Sequence, residues 1–141
     1  MRERIFRGKR KDNDEWVEGN YGEYYGEYYG EYYNEEKKMS CISIPSKETI
    51  SGSLCYDVIP ETVGQYTGLC DQNGTRIFEG DILSAHLDDG YPENETMLEV
   101  VWHNNGWYGK NGKFFDDFDN GFEKYFEVIG NVHDNPEQKE G

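Results

Sequence analysis

Gln65-Tyr66-Thr67-Gly68-Leu69-Cys70-Asp71-Gln72-Asn73-Gly74-Thr75-Arg76-Ile77-Phe78-Glu79-Gly80-Asp81-Ile82-Leu83 decides the fold class of this chain. Asn73-Gly74 is the dipeptide that best tolerates the positive φ angles of a type I′ turn, and it lies between short runs able to pair as a hairpin. Beyond it, Glu79-Gly80-Asp81 breaks the apolar pattern and Ile82 to Leu87 restarts it, as where a strand bends sharply and enters a second sheet. Hairpin, corner and restarted strand together predict a small β barrel.

Moving outward, Ile5 to Arg10 and Trp16 to Tyr21 are separated by Lys11-Asp12-Asn13-Asp14, a cluster of turn formers, and predict an N-terminal hairpin. Gly22-Glu23-Tyr24-Tyr25 then repeats twice more through Tyr33. A helix would place a glycine every fourth residue at a cost of about 1 kcal/mol each, whereas a strand accepts tyrosine readily, so an extended β segment is expected. Its register is weakly specified and its edge invites pairing with another chain, so a homo-oligomer is expected too. Glu35 to Lys38 closes the segment in this reading, and Cys41 to Ile44 pairs back on it. Thr49 to Ile59 predicts a further strand. Leu98, Val100 and Trp102 alternate with Glu99, Val101 and His103 as a strand does. Turns at Asn104-Asn105-Gly106 and Asn111-Gly112 follow, then a loop or single helical turn over Asp116 to Glu123. A last strand is expected over Tyr125 to Val132, with a frayed tail over residues 136–141.

The 141 residues suit one domain, and the 16% aromatic content suggests a core resting on Trp16, Trp102, Trp107 and several Phe and Tyr side chains. Fourteen Lys and Arg against 29 Asp and Glu give a net charge of −15, which repels phosphates and argues against direct nucleic-acid binding. No run approaches the ~20 apolar residues of a bilayer span, and the charged N-terminus lacks the apolar segment of a secretion signal, so a soluble, cytoplasmic protein without a membrane partner is expected. Cys41, Cys55 and Cys70 are odd in number and lack zinc or redox spacing, which predicts reduced thiols.

No motif carries chemistry. Asp116, Asn120, Gly121 and Glu127 fall at calcium-loop places, but Phe118 occupies a position that needs an oxygen ligand. His86, His103 and His133 have no local ligand spacing. Neither Asp88-Asp89 nor Asp116-Asp117 has the geometry of a catalytic pair, since neighbours in extended chain point apart; both are read as surface-loop acids. No phosphate-cradling glycine loop, nucleophile elbow or catalytic-thiol signature is present. The expectation is no catalytic, cofactor-binding or metal-binding residue, no cofactor and no enzyme activity.

The opening block, together with Arg2 to Lys11, Glu15 to Gly19, Glu61 to Gly64 and Glu127 to Glu137, resembles the YopX family of phage and prophage proteins. The resemblance implies a mainly β, YopX-like single domain over residues 1–141. Its N-terminal half would hold β-hairpins, residues 22–33 an insertion, and residues 65–133 an SH3-like small barrel. It brings no catalytic residue with it. Two functions follow as expectations: a non-enzymatic module binding an unidentified phage or host protein, or an acidic DNA mimic that inhibits a host nucleic-acid-binding protein.

Overall fold

The turn formers at residues 11–14 reverse the chain as their spacing demands. In the computed structural model, which describes residues 5–29, 34–86, 95–111, 114–117 and 122–135, β1 (Phe6–Lys9) pairs antiparallel with β2 (Trp16–Tyr29) from Phe6↔Gly19 to Lys9↔Trp16. Asp14 takes a left-handed φ of 61° to complete the reversal, and the Arg10 guanidinium grips Asp12 at 2.6 and 3.0 Å. The other edge of β2 pairs with β3 (Asn34–Pro45), from Asn20↔Ser43 to Tyr29↔Asn34. The first two tyrosine repeats are thus extended strand as far as Tyr29, and Gly30 to Tyr33 lie outside the described residues. Glu35 to Lys38 do not close the segment: they belong to β3, opposite Tyr25 to Tyr28, because the return strand starts as early as Asn34. At Gly19 the two strands approach so closely that a Cβ would strike the Ser43 carbonyl oxygen, so only glycine fits.

β4 (Ser53–Asp57) pairs with β3 from Pro45↔Ser53 to Cys41↔Asp57, and the residues before it, 47 to 52, form bends and a turn in place of the longer predicted strand. A short 3₁₀ turn (Pro60–Thr62) follows, whose Thr62 Oγ1 accepts from the Lys9 N–H at 2.9 Å and donates to the Ile59 carbonyl at 2.6 Å. β5 (Gly64–Cys70) begins against β1 at Arg7↔Gly64 and Phe6↔Gln65. The chain divides into two compact units between Gln65 and Tyr66, within β5. In the first unit the interior holds Ile42 and Val58, fully buried, with Cys41 and Ser40.

In the second unit the rest of β5 pairs with β6 (Arg76–Phe78) around the Asn73-Gly74 hairpin. The turn is not type I′, because of the pair only Gly74 takes a positive φ (+82°). Instead the Gly74 N–H reaches back to the Asp71 carbonyl at 3.0 Å, and the Asp71 carboxylate accepts from the Asn73 and Thr75 N–H groups at 2.9 and 2.8 Å. A buried carboxylate closes this turn. At the predicted corner, Gly80 has φ +90°, its N–H donates to the Val100 carbonyl, and buried Asp81 accepts from the Phe78 N–H at 2.7 Å. The chain then enters a second sheet as β7 (Asp81–Ala85).

That sheet continues through β8 (Thr96–His103), β9 (Gly106–Asn111), β10 (Phe114–Asp117) and, after a 3₁₀ turn at Phe122–Tyr125, β11 (Glu127–Asn131). All neighbours are antiparallel in the order β10-β9-β8-β7-β11, and among the described residues no ladder joins β10 to β11, so the sheet is open and not a closed barrel. The two-residue turn joining β8 to β9 has Asn104 and Asn105 both at positive φ, 47° and 62°, the type I′ signature. The interior is aliphatic: Ile77, Leu83, Ala85, Leu98 and Val100 surround Phe126. Of the tryptophans only Trp107 packs against it, half-buried. Trp102 is 53% exposed near the end of β8, edge-on to Trp107 at 4.9 Å. Asp116-Asp117 lies in β10 and not in a loop. The architecture is mainly β, in two antiparallel sheets.

Candidate functional site

A recess of the second unit grows from the way Phe126 is seated. Its ring fills the core, its carbonyl accepts from the Gln72 N–H at 3.1 Å, and two residues on the Val128 N–H donates to Asp71 Oδ2 at 2.8 Å. The β5–β6 turn therefore clamps the chain on both sides of residue 127. With Phe126 inward, Tyr125 points out and is 66% exposed. Along β11 the pairing to β7 slips between Val128 and Gly130, a bulge that leaves Ile129 unpaired and 38% exposed while Val128 packs on the core.

Tyr125 and Ile129 thus flank a groove of about 490 Å³, also lined by Gln72, Ser84, His86, Glu95, Lys124 and Glu127. A second hollow of about 550 Å³, sharing Gln72 and Lys124, runs along Gly68 to Asp71 and Gly74. The apolar floor is small and the rim carries both signs of charge, Lys124 against Glu95 and Glu127. Buried Ser84 donates its hydroxyl proton to Glu95 Oε2 at 2.6 Å.

In the first unit, a hollow of about 310 Å³ is lined by Lys11, Asp12, Cys55, Tyr56 and Asp57. The Tyr24 hydroxyl donates to Asp57 Oδ1 at 2.5 Å, and this bond, with burial second, pushes the phenol up to about 12. Arg10 lies 4.3 Å over the Tyr56 ring. Cys41, Cys55 and Cys70 are free thiols, and burial raises Cys41, which keeps it protonated and unreactive.

The residues weighed for chemistry are dispersed. His86 lines the groove, His103 meets Tyr108 edge-on at 5.6 Å, and His133 lies beside Gly80. Among the described residues no group of three His, Cys, Asp or Glu side chains is placed to hold a metal, and Asp88-Asp89 and residues 118–121 lie outside them. No helix among the described residues is long and apolar enough to cross a membrane. The groove itself was not foreseen: its parts are scattered from Gln72 to Ile129, and the one local signal was an exposed tyrosine beside a buried phenylalanine.

Comparison with known proteins agrees with the fold. No curated protein matches the chain. Among solved structures, that of protein EF1440 from Enterococcus faecalis is similar at 24% identity with a TM-score of 0.55, covering 97% of this chain and 98% of that one. The likeness shows a shared fold. The family model described as YopX protein matches residues 5–138, which takes in the Asn73-Gly74 hairpin and the Gly80 corner. The chain belongs to the YopX family.

Proposed function

We propose that this protein is a non-enzymatic binding module that receives a side chain of a phage or host protein in the groove between Tyr125 and Ile129. The carrying observation is the pairing of two exposed apolar side chains with a rim of mixed charge, on a segment pinned by Asp71 and Gln72. Exposed aromatic anchors beside a polar rim are the usual composition of a protein-binding hot spot. The bulge at Ile129 favours side-chain docking over addition of a whole strand, because it interrupts the edge a new strand would need. The proposed setting is the cytoplasm of a phage-carrying bacterium. An SH3-like kinship of the second unit belongs to the same proposal, supported by its short antiparallel strands and the Gly80 corner.

The test compares capture of host proteins by the full chain and by a Tyr125→Ala, Ile129→Asp variant, at low and moderate salt. Both positions are exposed, so the fold should survive, which a thermal melt checks. A partner kept at moderate salt by the parent and lost by the variant supports the groove. Partners that bind both proteins equally and fall away with salt would instead mark the −15 surface as the active feature, as for a DNA mimic.

A further inference from the structure

The tyrosine ribbon has one edge filled and one edge open. β3 pairs with β2 without a register shift from Asn20 to Tyr29, whereas β1 covers the opposite edge of β2 only from Trp16 to Gly19. Among the described residues no strand takes up that edge from Asn20 to Tyr29. β4 stops on β3 at Cys41, so the ribbon beyond is two strands wide. Two-stranded ribbons are marginal in water, and a third or fourth strand is what normally makes them hold. The edge also lacks the usual blunting devices: Asn20 to Tyr29 contains no proline, no lysine and no bulge. Tyr25 is 72% exposed on it.

We propose that a second copy of this chain adds to this edge, antiparallel, about a two-fold axis at Gly26, giving a four-stranded sheet in the order β3-β2-β2-β3. The register follows from symmetry and charge. A two-fold axis normal to a sheet pairs only positions of like parity. With the axis at Tyr25, position 23 faces position 27 twice, glutamate against glutamate; with the axis at Glu27, glutamate faces itself. With the axis at Gly26, position 25 faces 27, 24 faces 28 and 23 faces 29, so each glutamate meets a tyrosine and tyrosine meets tyrosine. Aromatic cross-strand pairs stabilise a sheet and directly opposed like charges destabilise it, which selects the Gly26 axis. An axis at Tyr24 avoids the clash but sets Gly22 against Gly26 at two symmetric places and keeps a single tyrosine pair, Tyr24 against its own copy, where the Gly26 axis makes two. The occupant is a second copy because the strand complements itself. A charge of −15 on each copy opposes the union at long range, so moderate salt should strengthen it.

Sedimentation equilibrium of the full chain tests this with Tyr25→Glu and Tyr25→Lys, whose retained fold is checked by melting. A concentration-dependent dimer is expected, tighter at moderate salt. Tyr25→Glu would face Glu27 at two symmetric places and weaken the dimer about tenfold or more, while Tyr25→Lys would tighten it. A monomer at every concentration overturns the proposal. So does assembly that grows past the dimer, indifference to both substitutions, or loss with both, the last of which would put Tyr25 on the axis.

Discussion

Asp71 Oδ2 accepts the Val128 N–H at 2.8 Å, so one buried side chain ties the β5–β6 turn to a strand 57 residues further on. Its Oδ1 meanwhile accepts from Asn73 and Thr75. Three backbone donors depend on it. Replacing Asp71 by alanine takes the acceptor from all three part-buried donors and should cost about 1–3 kcal/mol, whereas asparagine, keeping one acceptor oxygen, should cost less. Urea denaturation of the two variants measures this; a loss under about 1 kcal/mol for the alanine variant would mean that water replaces the carboxylate.

Gly109 on β9 lies against Leu98, whose Cδ1 would be 2.6 Å and Cβ 3.1 Å from an added methyl. Gly109→Ala should therefore overpack this part of the core and cost about 1–3 kcal/mol. Because the strain is against one neighbour, the double variant with Leu98→Val should lose less than the sum of the two singles, a coupling that a double-mutant cycle reads directly.

The Tyr24 phenol, raised from 10.0 to about 12 by its bond to Asp57, sets a pH signature. Its protonated form is favoured in the folded chain. The stability it contributes is fully present below pH 10 and is lost as pH rises through about 12. The stability difference between the parent and Tyr24→Phe should be constant up to the lower limit and shrink above it. A difference independent of pH across that window would show that the hydroxyl does not hold Asp57 in solution.

Metal chelators should leave the thermal midpoint unchanged, since no described cluster is placed to hold an ion. A fall of more than about 5 °C, on the order of 1 kcal/mol for a chain of this size, would reveal a structural metal.

The parts of the fold that were legible in the sequence are those governed by neighbours in the chain. The Lys11 to Asp14 reversal, the Gly80 corner and the alternation in Thr96–His103 follow from turn preference and period-two patterning, and the structure has them. The type of the Asn73-Gly74 turn was not legible, because Asp71 closes it with a carboxylate whose other oxygen is held by a distant strand. Nor was the aliphatic core: aromatic side chains make up 16% of the chain, but Ile77, Leu83, Ala85, Leu98 and Val100 gather around Phe126 while Trp107 only packs against that cluster and Trp102 stays exposed. The return strand from Asn34 was misplaced because Glu35-Glu36-Lys37-Lys38 is polar throughout, and its partner, not its own pattern, makes it a strand. The groove is a product of tertiary structure, built from Gln72, Glu95 and Tyr125 only once β5 to β11 are in place.

Mapping of bound peptide tests the binding groove most directly. Peptides selected from a random library against the full chain, then located by amide hydrogen exchange, should protect residues 124–129 together with Gln72 and 84–86, and should not bind the Tyr125→Ala, Ile129→Asp variant. Selected peptides that bind the variant as well as the parent, or that protect another surface and leave 124–129 unchanged, would contradict the groove as the site of recognition.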